Sequence, residues 1–136
     1  MVHKVQSVMV VDDEQLDLRM MQRSFAAFED CMTLEQVQGS DGALGAIQQS
    51  RPDLLLLDIA MPGTSGFELL SQLRGQDDAD RPVVIMLSSS EDPNDIERAY
   101  ELGAAGYIVK PTTLDGYREL ASSVSCFWGR QVVRPN

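Results

Sequence analysis

The sequence predicts an α/β fold, a doubly wound, five-stranded parallel sheet with helices on both faces. Three observations carry this reading. Short β-rich apolar runs alternate with helical patterns from end to end, as expected of successive βα units. Two of the runs, LLLL at 54–57 and VVIML at 83–87, are continuously apolar, as strands buried on both faces require. The length of 136 residues suits one compact domain, large enough to bury most of its unfolded surface without a disulfide or a metal.

In chain order, the first strand is placed at 7–11. Leu18, Met21, Phe25 and Phe28 then recur at spacings of three and four, giving the first helix one buried face. Strands at 33–37 and 54–57 follow. Ser65 with Glu68 reads as a capping box opening a third helix. After a polar loop at 76–80 comes the strand at 83–87. Asp92 followed by Pro93 starts a fourth helix, and Gly103 suits its end. The fifth strand is placed at 107–109. The last helix runs from about Thr113 to near Gly129, with Leu114, Tyr117, Leu120, Val124 and Phe127 on one stripe. No internal repeat, low-complexity segment or linker interrupts the chain, so 1–136 reads as a single domain. Its core is about 5–128, with a short tail at 129–136 that can fray.

A formal charge of -10 argues against contact with nucleic acid or an anionic membrane surface, because phosphate binding draws on lysine and arginine. No run approaches the apolar length of a membrane span, and the N-terminal segment turns acidic too early for a secretory leader. The expected location is the cytoplasm. Cys31 and Cys126 have no metal-ligand spacing and are expected to be reduced and buried. His3 has no partner pattern.

In a parallel sheet all strands point one way, so the residues that end them converge at one edge, where open α/β sheets place their sites. Here the first strand ends in Asp12 and Asp13, the third in Asp58, the fourth in Ser88, and the fifth in Lys110 followed by Pro111. Two carboxylates about 5 Å apart repel by roughly 3 kcal/mol at an effective dielectric near 20, so clustered acids call for a cation. Hard oxygen ligands of this kind suit Mg²⁺. Lys110 adds a second positive charge, able to pair with Asp58 or with a phosphoryl oxygen. An aspartate so placed can act as a nucleophile toward phosphorus, with the charge of the transferred group shared among the cation, the lysine, the Ser88 hydroxyl and backbone N–H groups.

The segments VMVVDDE, LLLLDIAMPGTSGFELL, VVIMLSSSEDP and ELGAAGYIVKP together resemble the response-regulator receiver domain, such as the chemotaxis receiver. The resemblance covers nearly the whole chain and implies a flavodoxin-like strand order of 2-1-3-4-5. It implies a two-component response regulator whose Asp58 accepts a phosphoryl group from a sensor histidine kinase, a switch and not an enzyme. Asp13 and Asp58 would ligate Mg²⁺ directly, Asp12 largely through water, and the backbone carbonyl of Ala60 would complete the protein's share. Ser88 would turn toward the phosphoryl group while Tyr107 changes rotamer, reshaping the surface of the fourth helix, fifth strand and fifth helix. The C-terminal half and the late FW and VVRP are similar to stand-alone receivers partnered with bacterial phytochromes. Ala60 and Ser90 offer no amide or acid to orient water, so the phosphoryl lifetime is not expected to be among the shortest.

Alternatives stand beside these readings. Asp12 and Asp13 taken singly could be helix caps. A slip of one residue would turn Ser89 inward in place of Ser88. Tyr107 could be an ordinary core aromatic. Phe127 and Trp128 either finish the packing of the last helix or form a homodimer contact. A flavin carrier is disfavoured by three acids in the first βα loop, where a phosphate cradle wants glycine and free N–H groups. A phosphatase of the aspartate-nucleophile kind is disfavoured by Ala60, where an acid catalyst would stand. A relay that passes the phosphoryl group to a histidine phosphotransfer protein, output through a downstream protein partner, and an interaction module without phosphorylation all remain open.

Overall fold

The computed structural model describes residues 2–4, 7–76, 81–125 and 133–135. Five parallel strands form the central sheet: β2 (Ser7–Asp12), β3 (Thr33–Gln38), β4 (Leu54–Leu57), β5 (Val83–Ser88) and β6 (Gly106–Val109). Their order is β3-β2-β4-β5-β6, which is 2-1-3-4-5 when the sheet strands are counted in sequence. The helices are α1 (Gln15–Phe25), α2 (Ala43–Ser50), α3 (Gly66–Arg74), α4 (Pro93–Glu101) and α5 (Leu114–Val124).

The pleat divides the core into two layers. Met9, Val11, Leu55, Leu57 and Met86 pack with α2 and α3 through Ile47, Phe67, Leu70 and Leu73, joined by Ala99 of α4. Their strand neighbours Val8, Val10, Leu54, Leu56, Ile85 and Leu87 pack with α1 and α5 through Leu18, Met21, Phe25, Tyr117, Leu120 and Val124. Successive strand residues point to opposite faces, so a strand covered by helices on both sides has no place for a polar side chain. All four leucines of β4 are wholly buried. The edge strand β3 instead alternates exposed and half-buried residues.

Local chemistry sets the helix starts. The Ser65 hydroxyl accepts from the Glu68 N–H, the Asp92 carboxylate from that of Asn94, and the Thr113 hydroxyl from that of Gly116, each satisfying an otherwise orphan helix donor. Pro93 occupies the first turn of α4. Gly103 follows its end at φ +100°, a conformation that favours glycine.

The structure departs from the sequence-based expectation at three places. The first helix ends at Phe25 and tightens into a 3-10 turn over Ala26–Phe28, whose shorter period leaves Phe28 half-buried, though still packed against the layer of Leu18, Met21 and Phe25. Cys31, just beyond this turn, is likewise half-buried, its thiol donating to the Phe28 carbonyl. A short antiparallel ribbon also pairs β1 (Val2–Lys4) with β7 (Val133–Pro135), where a fraying tail was expected. Cys126, Phe127, Trp128 and Gly129 lie outside the described residues.

Candidate functional site

Backbone hydrogen bonds carry the sheet geometry one residue past the strand ends. The Asp58 N–H donates to the Val11 carbonyl at 2.9 Å, the Lys110 N–H to the Ser88 carbonyl at 2.8 Å, and the Gly39 N–H to the Asp12 carbonyl at 2.8 Å. Asp58 is further held by α3. A Cβ at Gly66 would lie 2.1 Å from the Asp58 carbonyl oxygen, so only glycine lets the helix start this close.

Asp12, Asp58 and Ser88 are 1%, 3% and 3% exposed. The Lys110 ammonium stands among three carboxylates, 2.9 Å from Asp17, 3.0 Å from Asp12 and 3.3 Å from Asp58. Asp12 Oδ1 accepts from the Glu14 N–H at 2.9 Å. Asp12 Oδ2 makes the ion-pair contact with Lys110 but receives no directed hydrogen bond.

The charges perturb one another. Burial, then the charge of Asp12, pushes the Asp58 carboxyl up to about 6, although Lys110 pulls it down. Burial disfavours the Lys110 ammonium, but the hydrogen bond to Asp17, the close contact with Asp12 and the charges of Asp12 and Asp58 outweigh it, so its pKa is raised. A lysine held this way stays charged.

Three carboxylates facing one ammonium leave an excess of negative charge, and one buried carboxylate oxygen lacks a directed donor. Both features, with an all-oxygen donor set, fit a further hard cation. Asp13 is half-buried, its Oδ1 3.8 Å from where a Cβ on Gly39 would sit. Ala60 is exposed on the loop before α3. Among the described residues no three acids form a finished metal cage. The short contacts join Asp12, Asp58 and Lys110, with Asp13 and Ala60 on adjoining loops.

On the other side of the sheet edge, Ser88 is buried and Ser89 exposed. The Ser88 hydroxyl accepts from the Ser90 N–H at 3.1 Å. The Tyr107 hydroxyl donates to the Ser90 carbonyl at 2.8 Å, while its half-buried ring packs on the layer beneath α3 and α4. The Ser90 hydroxyl donates to Asp95 in the first turn of α4 at 2.6 Å.

Sequence reasoning missed Asp17, which makes the shortest contact with Lys110, and the polar end of Tyr117, whose hydroxyl donates to Asp17 at 2.9 Å. Tyr117 was read only as a member of an apolar stripe. Asp17 falls in the first turn of α1, only a few residues after the acids that end β2; that closeness in sequence was the available signal.

Known proteins share this fold. The response regulator receiver domain family matches residues 8–122. Response regulator Rcp1 of Synechocystis is 26% identical over 135 residues, covering 94% of this chain and 92% of its own. Its Mn²⁺-bound crystal structure superposes with a TM-score of 0.79 over 96% of this chain and 99% of that one, at 25% identity. The phosphorylated cyanobacterial phytochrome response regulator RcpA gives a TM-score of 0.84 over 98% and 99% of the two chains, at 26% identity. The polar-differentiation response regulator DivK of Brucella anthropi is 30% identical over 119 residues, 86% of this chain and 94% of its own. By contrast, the chain spans only 24% of a probable cyclic di-GMP phosphodiesterase of Vibrio cholerae, which it matches at 30% identity over 108 residues. Among the described residues no helix is long and apolar enough to cross a membrane. The chain belongs to the response regulator receiver domain family.

Proposed function

We propose that this chain is a phosphorylation switch whose Asp58 accepts a phosphoryl group from a histidine kinase in a Mg²⁺-dependent reaction. The observation that carries the reading is the buried Asp58 carboxylate at a strand end, 3.3 Å from the Lys110 ammonium and beside Asp12. A carboxylate oxygen of Asp58 forms a bond to phosphorus as the phosphorus–nitrogen bond of the donor phosphohistidine breaks, and the departing imidazole takes up a proton. Asp12, Asp13 and Asp58, with the Ala60 carbonyl, would hold Mg²⁺. The bound cation would supply charge neutralisation for the phosphoryl oxygens. Lys110 contributes a fixed positive charge, and Ser88 a hydroxyl that turns to the new anion.

Ser88 and Tyr107 carry the output of the switch. Both bond to Ser90, so reorientation of the Ser88 hydroxyl is felt by the backbone that anchors the Tyr107 ring and by the start of α4. With Ala60 and Ser90 unable to activate water, the aspartyl phosphate outlasts the fastest receivers. The likeness over nearly the full chain to RcpA, a phytochrome response regulator, favours a bacterial phytochrome as the donor kinase.

The test is labelling by acetyl phosphate. The chain should gain about 80 Da, one phosphoryl group, only with Mg²⁺, and Asp58→Asn should gain nothing. Equal labelling of that variant would sink the assignment. Transfer from phosphorylated phytochrome kinases against unrelated histidine kinases then tests the donor class.

A further inference from the structure

We propose that Asp17, oriented by Tyr117, is a positioning residue that holds the Lys110 ammonium where a phosphoryl group on Asp58 would meet it. This rests on the reading of Asp58 as phosphoacceptor. Lysine has a flexible four-carbon stem and three donors without fixed direction, so it needs an anchor to present a charge at one point. Asp12 and Asp58 are poor anchors, since both belong to the set that would hold the cation, and Asp58 changes chemically when phosphorylated. Asp17 has neither role. It makes the shortest contact with Nζ, 2.9 Å, from the first turn of α1.

Asp17 is itself fixed. One carboxylate oxygen takes the ammonium, and the other accepts the Tyr117 hydroxyl at 2.9 Å. Tyr117 is 2% exposed and packs in the layer of Leu18, Leu120 and Val124 between α1, α5 and the sheet. The position of the ammonium is thus set by the packing of two helices, through Tyr117 and then Asp17. A tie that merely joined α1 to α5 would need no lysine at its end. Here the same carboxylate serves both partners.

The experiment is a double-mutant cycle on the full chain at saturating Mg²⁺, following the rate of Asp58 labelling by acetyl phosphate with intact mass. Asp17→Ala should slow labelling about tenfold and Tyr117→Phe about threefold, while Asp17→Ala added to Lys110→Met should change the residual rate less than about twofold. Asp17→Asn, which keeps the shape and one acceptor oxygen, should fall between wild type and Asp17→Ala, and it decides the matter if the alanine variant does not fold. The Mg²⁺ concentration for half-maximal labelling should stay unchanged in both Asp17 variants.

A wild-type rate in Asp17→Ala would overturn the proposal. So would the same tenfold loss in the Lys110→Met background, or a loss wholly explained by weakened Mg²⁺ binding. A wild-type rate in Tyr117→Phe would remove the part given to Tyr117. If the wild-type chain is not labelled on Asp58 at all, the underlying reading fails instead, and the two failures are distinguishable.

Discussion

Two regions meet at Asp58 and are built differently. On the α1 and α5 side, Lys110 is held by three carboxylates, and Asp17 ties it to Tyr117. On the β5 and α4 side, the Ser90 backbone links Ser88 to Tyr107 through hydrogen bonds between neutral groups. The first side concentrates charge in a poorly solvated place, where losing a partner is costly. The second uses bonds whose net worth is near 1 kcal/mol each, cheap to exchange. The proposed switch would use both: a fixed charge where a phosphoryl group on Asp58 would stand, and a network that can rearrange in response.

The largest expected effect comes from breaking the charged side. Lys110→Met strands Asp12 and Asp58 as buried carboxylates and should destabilise the fold by about 3–5 kcal/mol in Mg²⁺-free buffer. Urea denaturation would measure this, and added Mg²⁺ should recover part of it by binding the folded state. A loss below 1 kcal/mol would mean that the lysine does not compensate the acids.

Next is the pH dependence of Asp58. Its folded pKa of about 6 lies above the ordinary 3.8, so the folded state binds the proton more tightly than the unfolded one. The stabilisation is complete below pH 4 and is lost as pH rises to about 6. The rise from 3.8 to about 6 corresponds to about 3 kcal/mol. Asp58→Asn should therefore be more stable than wild type at pH 7.5 without Mg²⁺, by up to about that amount, with the curves converging below pH 4. If the variant is instead less stable at neutral pH, attraction to Lys110 outweighs burial.

The smallest effects belong to the neutral side. Tyr107→Phe should cost about 1 kcal/mol and should respond little to ionic strength, unlike a variant of the exposed pair Arg118–Asp115, whose surface attraction salt screens. A Tyr107→Phe loss above 3 kcal/mol would make this network as rigid as the charged one.

Legibility followed the range of the interactions. The leucine run at 54–57 and the VVIML run were readable because burial on both faces leaves an unbroken apolar signature. Asp92-Pro93 was readable because a cap is settled within a few residues. Asp58 was legible as a strand end, and the topology of a parallel sheet told which other strand ends to collect. The 3-10 turn at Ala26–Phe28 was not readable, because the apolar spacing does not encode a local change of helical period. The partnership of Asp17 and Tyr117 was illegible because the residues are 100 positions apart, on helices that look independent in the sequence.

By itself, the sequence determined the alternation of elements, the buried strands, the helix starts and the acids, hydroxyl and lysine at one sheet edge, because each follows from local patterning or from the common direction of the strands. Only the tertiary structure decided that the lysine is shared among Asp12, Asp17 and Asp58, that Tyr117 fixes Asp17, and that Ser90 joins Ser88 to Tyr107. Those contacts depend on how α1 packs beside α5 and how the loop after β5 folds back, and distances of a few ångströms between remote residues leave no periodic trace in the chain.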